Sequence, residues 1–113
     1  MNTVRGAAIG IAALMVFAMT GRASAQSAAD NYKAKCQMCH GADGKADTPM
    51  GKKLNAHDFH ADAVQKKSDG ELFTSTHEGV MREGKPTMPA YKGKLTDDQI
   101  HDLVKYVREL GKK

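Results

Sequence analysis

The strongest pattern of apolar and polar positions lies at the end of the chain, where Ile100, Leu103, Val104, Val107 and Leu110 recur at intervals of three and four. That spacing lays one apolar stripe along a helix. Thr96-Asp97-Asp98-Gln99, just before the stripe, has the form of a capping box, and Gly111 supplies a stop. Burying each stripe residue is worth about 1.5–3 kcal/mol, so this helix requires a packing partner. A second capping box, Ser68-Asp69-Gly70-Glu71, opens a shorter helix through Leu72, Phe73 and Thr76 that closes at Gly79. Near the front, Ser27 caps a helix on which Ala28, Tyr32 and Cys36 recur every four residues, and Gly41 and Gly44 end it in a tight reversal. Residues 42–67 show weak periodicity and read as a loop with at most a short helix, anchored by Leu54 and Phe59. From Val80 to Leu95, Gly84, Pro86, Pro89 and Gly93 exclude a regular helix, and the segment reads as an ordered loop. The expectation is an all-α fold of three to four helices.

The first residues follow a different pattern. Arg5 precedes an apolar run from Ala7 to Met19, and Thr20-Gly21-Arg22 leads to the small-residue triplet Ala23-Ser24-Ala25. This order predicts a secretory signal peptide over residues 1–25, cleaved after Ala25, followed by one domain over residues 26–113. The run falls short of the roughly 18–20 apolar residues that span a bilayer, so no stable membrane insertion is expected after cleavage. Cleavage leaves 88 residues, near the lower end of what an unaided core stabilises. It also removes Arg5 and Arg22, so the 17 basic residues become fifteen against 13 acidic ones and the net charge drops from +4 to +2. With no Lys/Arg block interleaved with aromatics, nucleic-acid binding is not expected.

The chemistry concentrates in Cys36-Gln37-Met38-Cys39-His40. Two thiols separated by two residues each add across one vinyl group of a haem, and the adjacent His becomes the proximal iron ligand. Structural zinc needs four ligands, and the chain has only these two cysteines with no His pair at the usual spacing. A thioredoxin-like pair needs a βαβ pattern that is not present. His57 and His60, with Asp58 and Asp62, look like a metal cluster but are better explained as a solvated loop. Export supports the haem reading, because outside the cytoplasm free thiols oxidise unless something consumes them. Two haem propionates would take the mature charge to about zero. In Lys85-Pro86-Thr87-Met88-Pro89, two prolines stiffen the backbone around a methionine, which suits holding a thioether at an iron.

Taken together, these residues resemble a small bacterial class I cytochrome c over nearly all of residues 27–113. The resemblance rests on Tyr32 four before Cys36, the run Cys36 to Gly44, Met88-Pro89 in its loop, and Leu95 to Ile100 leading to Tyr106-Val107-Arg108. It implies a small cytochrome c fold wrapped around one covalent haem c with its iron. Carried over residue by residue, it implies Cys36 and Cys39 as thioether anchors and His40 and Met88 as the axial ligands. Ala46, where related sequences often carry glycine, and the polar run Thr74-Ser75-Thr76-His77 depart from the pattern. The rivals of Met88 are Met81, Met50 and His77. Met50 would have to round the haem edge almost fully extended, Met81 has no adjacent proline, and His77 sits on a helix face committed through Phe73.

An iron with both axial positions filled carries one electron and has no vacant site for oxygen or peroxide. The expected function is therefore a monomeric periplasmic electron carrier, not an enzyme, working between periplasmic or membrane-associated redox protein partners, or an electron-input subunit that docks on a redox enzyme. The alternative is a haem enzyme or gas sensor with a labile distal Met. Lys85, Lys92 and Lys94 around Met88 are candidates for steering partners.

Overall fold

Helix caps decide where the elements begin. The computed structural model describes residues 27–113 together with Gly6 and Gly10, and the expected signal peptide falls outside the described residues. Helix α1, Ala28–Lys35, starts where Ser27 Oγ accepts from the Asp30 N–H. The chain passes through Cys36 into the single turn α2, Gln37–His40, with little change of direction, since the Cys36 N–H still donates to Tyr32 O. Helix α3, Pro49–Leu54, is capped by Thr48 with Pro49 in its first turn, and α4, Asp62–Gln65, is a second short helix. Helix α5, Asp69–Glu78, carries the expected capping box at Ser68 and Glu71. Strands β1, Val80–Arg82, and β2, Lys85–Met88, follow. Helix α6, Asp97–Leu110, closes the chain, with Thr96 and Gln99 capping each other reciprocally at 2.9 and 3.1 Å.

The apolar stripe of α6 makes the core. Ile100, Leu103, Val104 and Leu110 are buried against α1 and α5, while Val107 is half-buried at the edge. Where α1 meets α6, Tyr32 is almost fully enclosed, with its ring 5.0 Å from Tyr106 and edge-on to Phe59 at 6.3 Å. Its hydroxyl donates to Gly41 O at 2.6 Å, and burial holds the phenol far above its ordinary pKa. Among the described residues no helix is long and apolar enough to cross a membrane.

Three expectations need correcting. The helix count among the described residues is six rather than three or four. The difference lies in the Cys36 break and in 42–67, where Pro49, Gly51 and scattered charges point to a loop with at most one short helix, yet the Thr48 cap and Pro49 start α3 and a second short helix, α4, follows. Val80 to Leu95 is not all loop: β1 and β2 pair antiparallel, with Val80 opposite Met88 and Arg82 opposite Lys85. Glu83 and Gly84, at φ 52° and 75°, form the turn between them, which is the left-handed pair that joins twisted strands without splaying them. Pro86 fits because a two-stranded edge has a side that needs no donor. Gly111 ends α6 for a reason other than a left-handed cap. Its φ is −67°, and an added Cβ would lie 2.7 Å from Phe59 O.

Two other glycines and one alanine fix the turns near the cysteines. Gly44, at φ 75°, lies so close to Phe59 that a Cβ would sit 2.7 Å from its ring. Ala46, the departure from the family pattern, is buried at φ 57°, a conformation costing a non-glycine residue about 1–2 kcal/mol. Gly79, at φ 77°, ends α5 where the chain crosses the 88–90 segment, and a Cβ there would lie 2.7 Å from Met88 O and 2.8 Å from Ala90 N.

Ile100 has no exposed surface, so Ile100→Ala should destabilise the protein by about 2–5 kcal/mol in guanidinium unfolding, whereas Met81→Ala, at 63 % exposure, should change it by less than about 0.5 kcal/mol. Gly79→Ala combines a left-handed backbone with a backbone clash and should cost more than about 2 kcal/mol. A loss below about 0.5 kcal/mol at Gly79 would show that the crossing is looser than described.

Candidate functional site

Helix α2 presents one wall of a cleft. Cys36 and Cys39 are free thiols, half-buried on it, with His40 at its last position. Burial pushes the Cys36 thiol up to about 11, an effect Lys35 partly offsets, so it is a protonated thiol near neutral pH. Thr48 ties α2 to α3, donating to Cys39 O at 2.8 Å and accepting from the Gly51 N–H at 2.9 Å. Gly51 is required there, since a Cβ would run into the carbonyls of Cys39 and Ala46.

The His40 ring is held on two sides. Phe59 stacks on it at 4.5 Å, and Nδ1 lies 3.0 Å from His57 O. A carbonyl only accepts, so Nδ1 carries the proton and Nε2 keeps its lone pair. Burial lowers the His40 pKa, which favours this neutral form. The His57 side chain turns the other way, with its Nε2 accepting from Arg82 Nη2 at 2.9 Å, while Arg82 Nη1 donates to Asn55 O at 2.9 Å. Burial first, then the charges of Arg82 and Lys67, push the His57 pKa down.

The opposite wall comes from the hairpin and the segment after it: Val80, Thr87, Met88, Pro89 and Tyr91. Backbone bonds from Tyr91 N–H to Thr76 O and from Lys92 N–H to His77 O, both 3.1 Å, fasten this wall to the end of α5. The Tyr91 hydroxyl donates across to Lys35 O at 2.8 Å, joining the two walls, and burial pushes this phenol up to about 12. Between the walls are two lobes of about 250 and 190 Å³, and Cys36, His40, His57, Val80 and Met88 border both. The inner lobe is otherwise mostly apolar, with Phe59, Val64, Leu72, Leu103 and Val104.

Cys36, Cys39, His40 and Met88 are thus brought together. Met81 and Met50 are exposed, at 63 % and 38 %, and do not border the cleft. His77 stacks on Phe73, with Nδ1 2.8 Å from Glu78, and stays outside the cleft as well. Of the loop cluster, His60 pairs with Asp58 at 2.8 Å, and His57 acts through its carbonyl. Sequence reasoning missed that carbonyl and the Arg82 bridge. The first is a backbone group any residue could supply, whereas the second was foreshadowed by Glu83-Gly84, a turn that makes its neighbours strands.

The donor set suits haem: two free thiols separated by two residues, an imidazole with a free Nε2, and a thioether, around a mostly apolar slot. Comparison with known proteins agrees. A family profile described as "Cytochrome C oxidase, cbb3-type, subunit III" matches residues 23–107. Cytochrome c6 of Bryopsis maxima is 34 % identical over 79 residues, covering 70 % of this chain and 83 % of that protein. The cbb3-type cytochrome c oxidase subunit FixP of Rhizobium meliloti (strain 1021) is 37 % identical over 76 residues, covering 67 % of this chain. The chain spans only 24 % of the length of FixP. Among solved structures, the KustC0563 c-type cytochrome superposes with a TM-score of 0.63 at 32 % identity, over 74 % of this chain and 96 % of that one. With that agreement of site, sequence and fold, the chain belongs to the cytochrome c family, within the group described as cbb3-type oxidase subunit III, whose members carry covalent haem c with its iron and serve in electron transport.

Proposed function

We propose that this protein is a periplasmic one-electron carrier in which Cys36 and Cys39 anchor haem c, and His40 and Met88 are its axial ligands. The observation that carries the proposal is that His40 and Met88 border both lobes of one cleft from opposite walls. Cys36 and Cys39 would hold the haem as its two thioether anchors. His40 presents Nε2 because its Nδ1–H is engaged by His57 O. Met88 is held at the end of β2 by pairing with β1 and by Pro89, so little motion is lost when its sulfur ligates. When bound, the haem supplies a one-electron couple, and two filled axial positions suit that exchange and disfavour binding of small gases.

The pattern of residues 1–25 supports export to the periplasm, and the mature chain is read as a monomer that meets separate redox protein partners, donor and acceptor, without binding nucleic acid. Of the three lysines considered for steering, Lys92 is paired with Glu78 at 2.9 Å and Lys94 lies over the Tyr91 ring at 5.9 Å. Lys85 is exposed at the start of β2, so the steering charge there is smaller than the sequence implies.

Met88→Ala should abolish the weak sulfur-to-iron absorption band of the oxidised protein and open the iron to carbon monoxide in the reduced one, while Met81→Ala should leave both unchanged. Carbon monoxide binding by the unsubstituted reduced protein would instead favour the gas-sensor alternative.

A further inference from the structure

Helix α4 has little of its own to hold it. It is a single turn of four residues, its N-cap Ala61 provides no side-chain bond, and one turn gains too few backbone bonds to persist alone. Yet the segment around it builds much of the inner lobe: Phe59, Val64 and Lys67 border that lobe, Val64 is buried, and the Phe59 ring stacks on His40 at 4.5 Å. Arg108, on α6, engages three acceptors with its three guanidinium nitrogens. Nε donates to Asp69 Oδ1 at 2.9 Å, Nη1 to Gln65 O at 3.3 Å and Nη2 to Lys67 O. The two carbonyls lie at and just beyond the end of α4, and Asp69 begins α5, so one planar side chain joins the two helices. Gln65 carries the tie inward, since its Nε2 donates to Phe59 O. From the other side the Phe59 N–H donates to Gly44 O at 2.8 Å, and Gly111, which has no Cβ, leaves room for the Phe59 carbonyl. The Arg108 side chain is 22 % exposed and that of Asp69 76 %, so their ion pair is largely screened and the two carbonyl bonds carry most of the hold.

We propose that Arg108 is a positioning residue for the iron site: from α6 it holds the 59–67 segment so that the Phe59 ring keeps the His40 imidazole in one plane. This rests on the ligation proposed above and goes beyond it by naming what sets the rotation of that imidazole. The bond from Nδ1–H to His57 O fixes one edge of the ring. The Phe59 ring, stacked with 24° between the planes, fixes its face. Because the same segment closes the inner lobe, loosening it admits water. A wetter site favours the oxidised, more positive iron and lowers the reduction potential.

The test uses the mature holoprotein with Arg108→Gln, Arg108→Lys, Phe59→Leu and the double variant Arg108→Gln with Phe59→Leu. Ile100→Val, which loosens α6 at a position bordering neither lobe, is the control for stability alone. Reduction potentials are read by optical titration, and the orientation of the imidazole by the g values of the oxidised low-spin iron in electron paramagnetic resonance. Arg108→Gln should lower the potential and shift the g values, each by more than Ile100→Val does, with the sulfur-to-iron band intact. Arg108→Lys keeps the charge but donates from a single nitrogen, so it should recover less than half of both shifts. Phe59→Leu should move both readings in the same direction, and the double variant should move them little further than the larger single one, because the two residues act through one contact. Should Arg108→Gln fail to fold, Arg108→Lys carries the same expectations at smaller size. Full recovery in Arg108→Lys, shifts no larger than the control, additive shifts in the double variant, or loss of the sulfur-to-iron band in Arg108→Gln would overturn the proposal. An unsubstituted protein without a low-spin ferric signal would overturn the ligation reading and this proposal together, whereas a normal signal that Arg108→Gln leaves unmoved overturns this proposal alone.

Discussion

The hydrogen bond from the Tyr32 hydroxyl to Gly41 O, 2.6 Å long and closed off from water, is the point on which the rest of the molecule is built. It issues from the crossing of α1 and α6, where Tyr32 is almost fully enclosed, and it ends one residue after His40. The turn bearing the cysteines and His40 is therefore held by the same residue that fills the helix crossing. Losing this bond would leave a buried polar group unpaired, at about 1–3 kcal/mol, as well as loosening the turn that carries His40.

From that point the two walls of the cleft differ in how they are held. The α2 wall is tied repeatedly at short range, through Thr48 to Cys39, through Gly51 packed under it, and through Phe59 and His57 against the His40 ring. The hairpin wall is a small sheet with one exposed face, secured at Gly79, at Tyr91 and at Arg82. Arg82 joins the walls: it reaches from β1 to the Asn55–His57 segment whose carbonyl orients His40. A local opening of this protein should begin in the hairpin, since fewer buried contacts resist it.

Much of this was legible in the sequence. The two capping boxes became α5 and α6 with both reciprocal bonds formed, and Ser27 capped α1, because a cap is a local interaction that tertiary packing rarely overrides. The run from Cys36 to His40 and Met88 between its prolines were singled out by spacing, and the fold brings them to one cleft. The hairpin was hidden because Gly84 and Pro86 count against a strand in general, yet a left-handed turn and an edge position accommodate both. Gly111 was assigned the wrong reason, since close approach to Phe59 depends on a contact distant in sequence. His57 had no signal at all, because its contribution is a carbonyl placed by the fold.

The central claim is that one wall supplies His40 and the other Met88 to the same iron. In the reduced, diamagnetic protein a methionine methyl lying over the haem ring is shifted far upfield by the ring current, so the direct measurement is a proton–carbon spectrum of protein labelled at its methionine methyls. The account predicts one strongly upfield methyl, assigned to Met88, with Met38, Met50 and Met81 near their ordinary positions. An upfield methyl assigned to Met81 or Met50, or none at all, would contradict it.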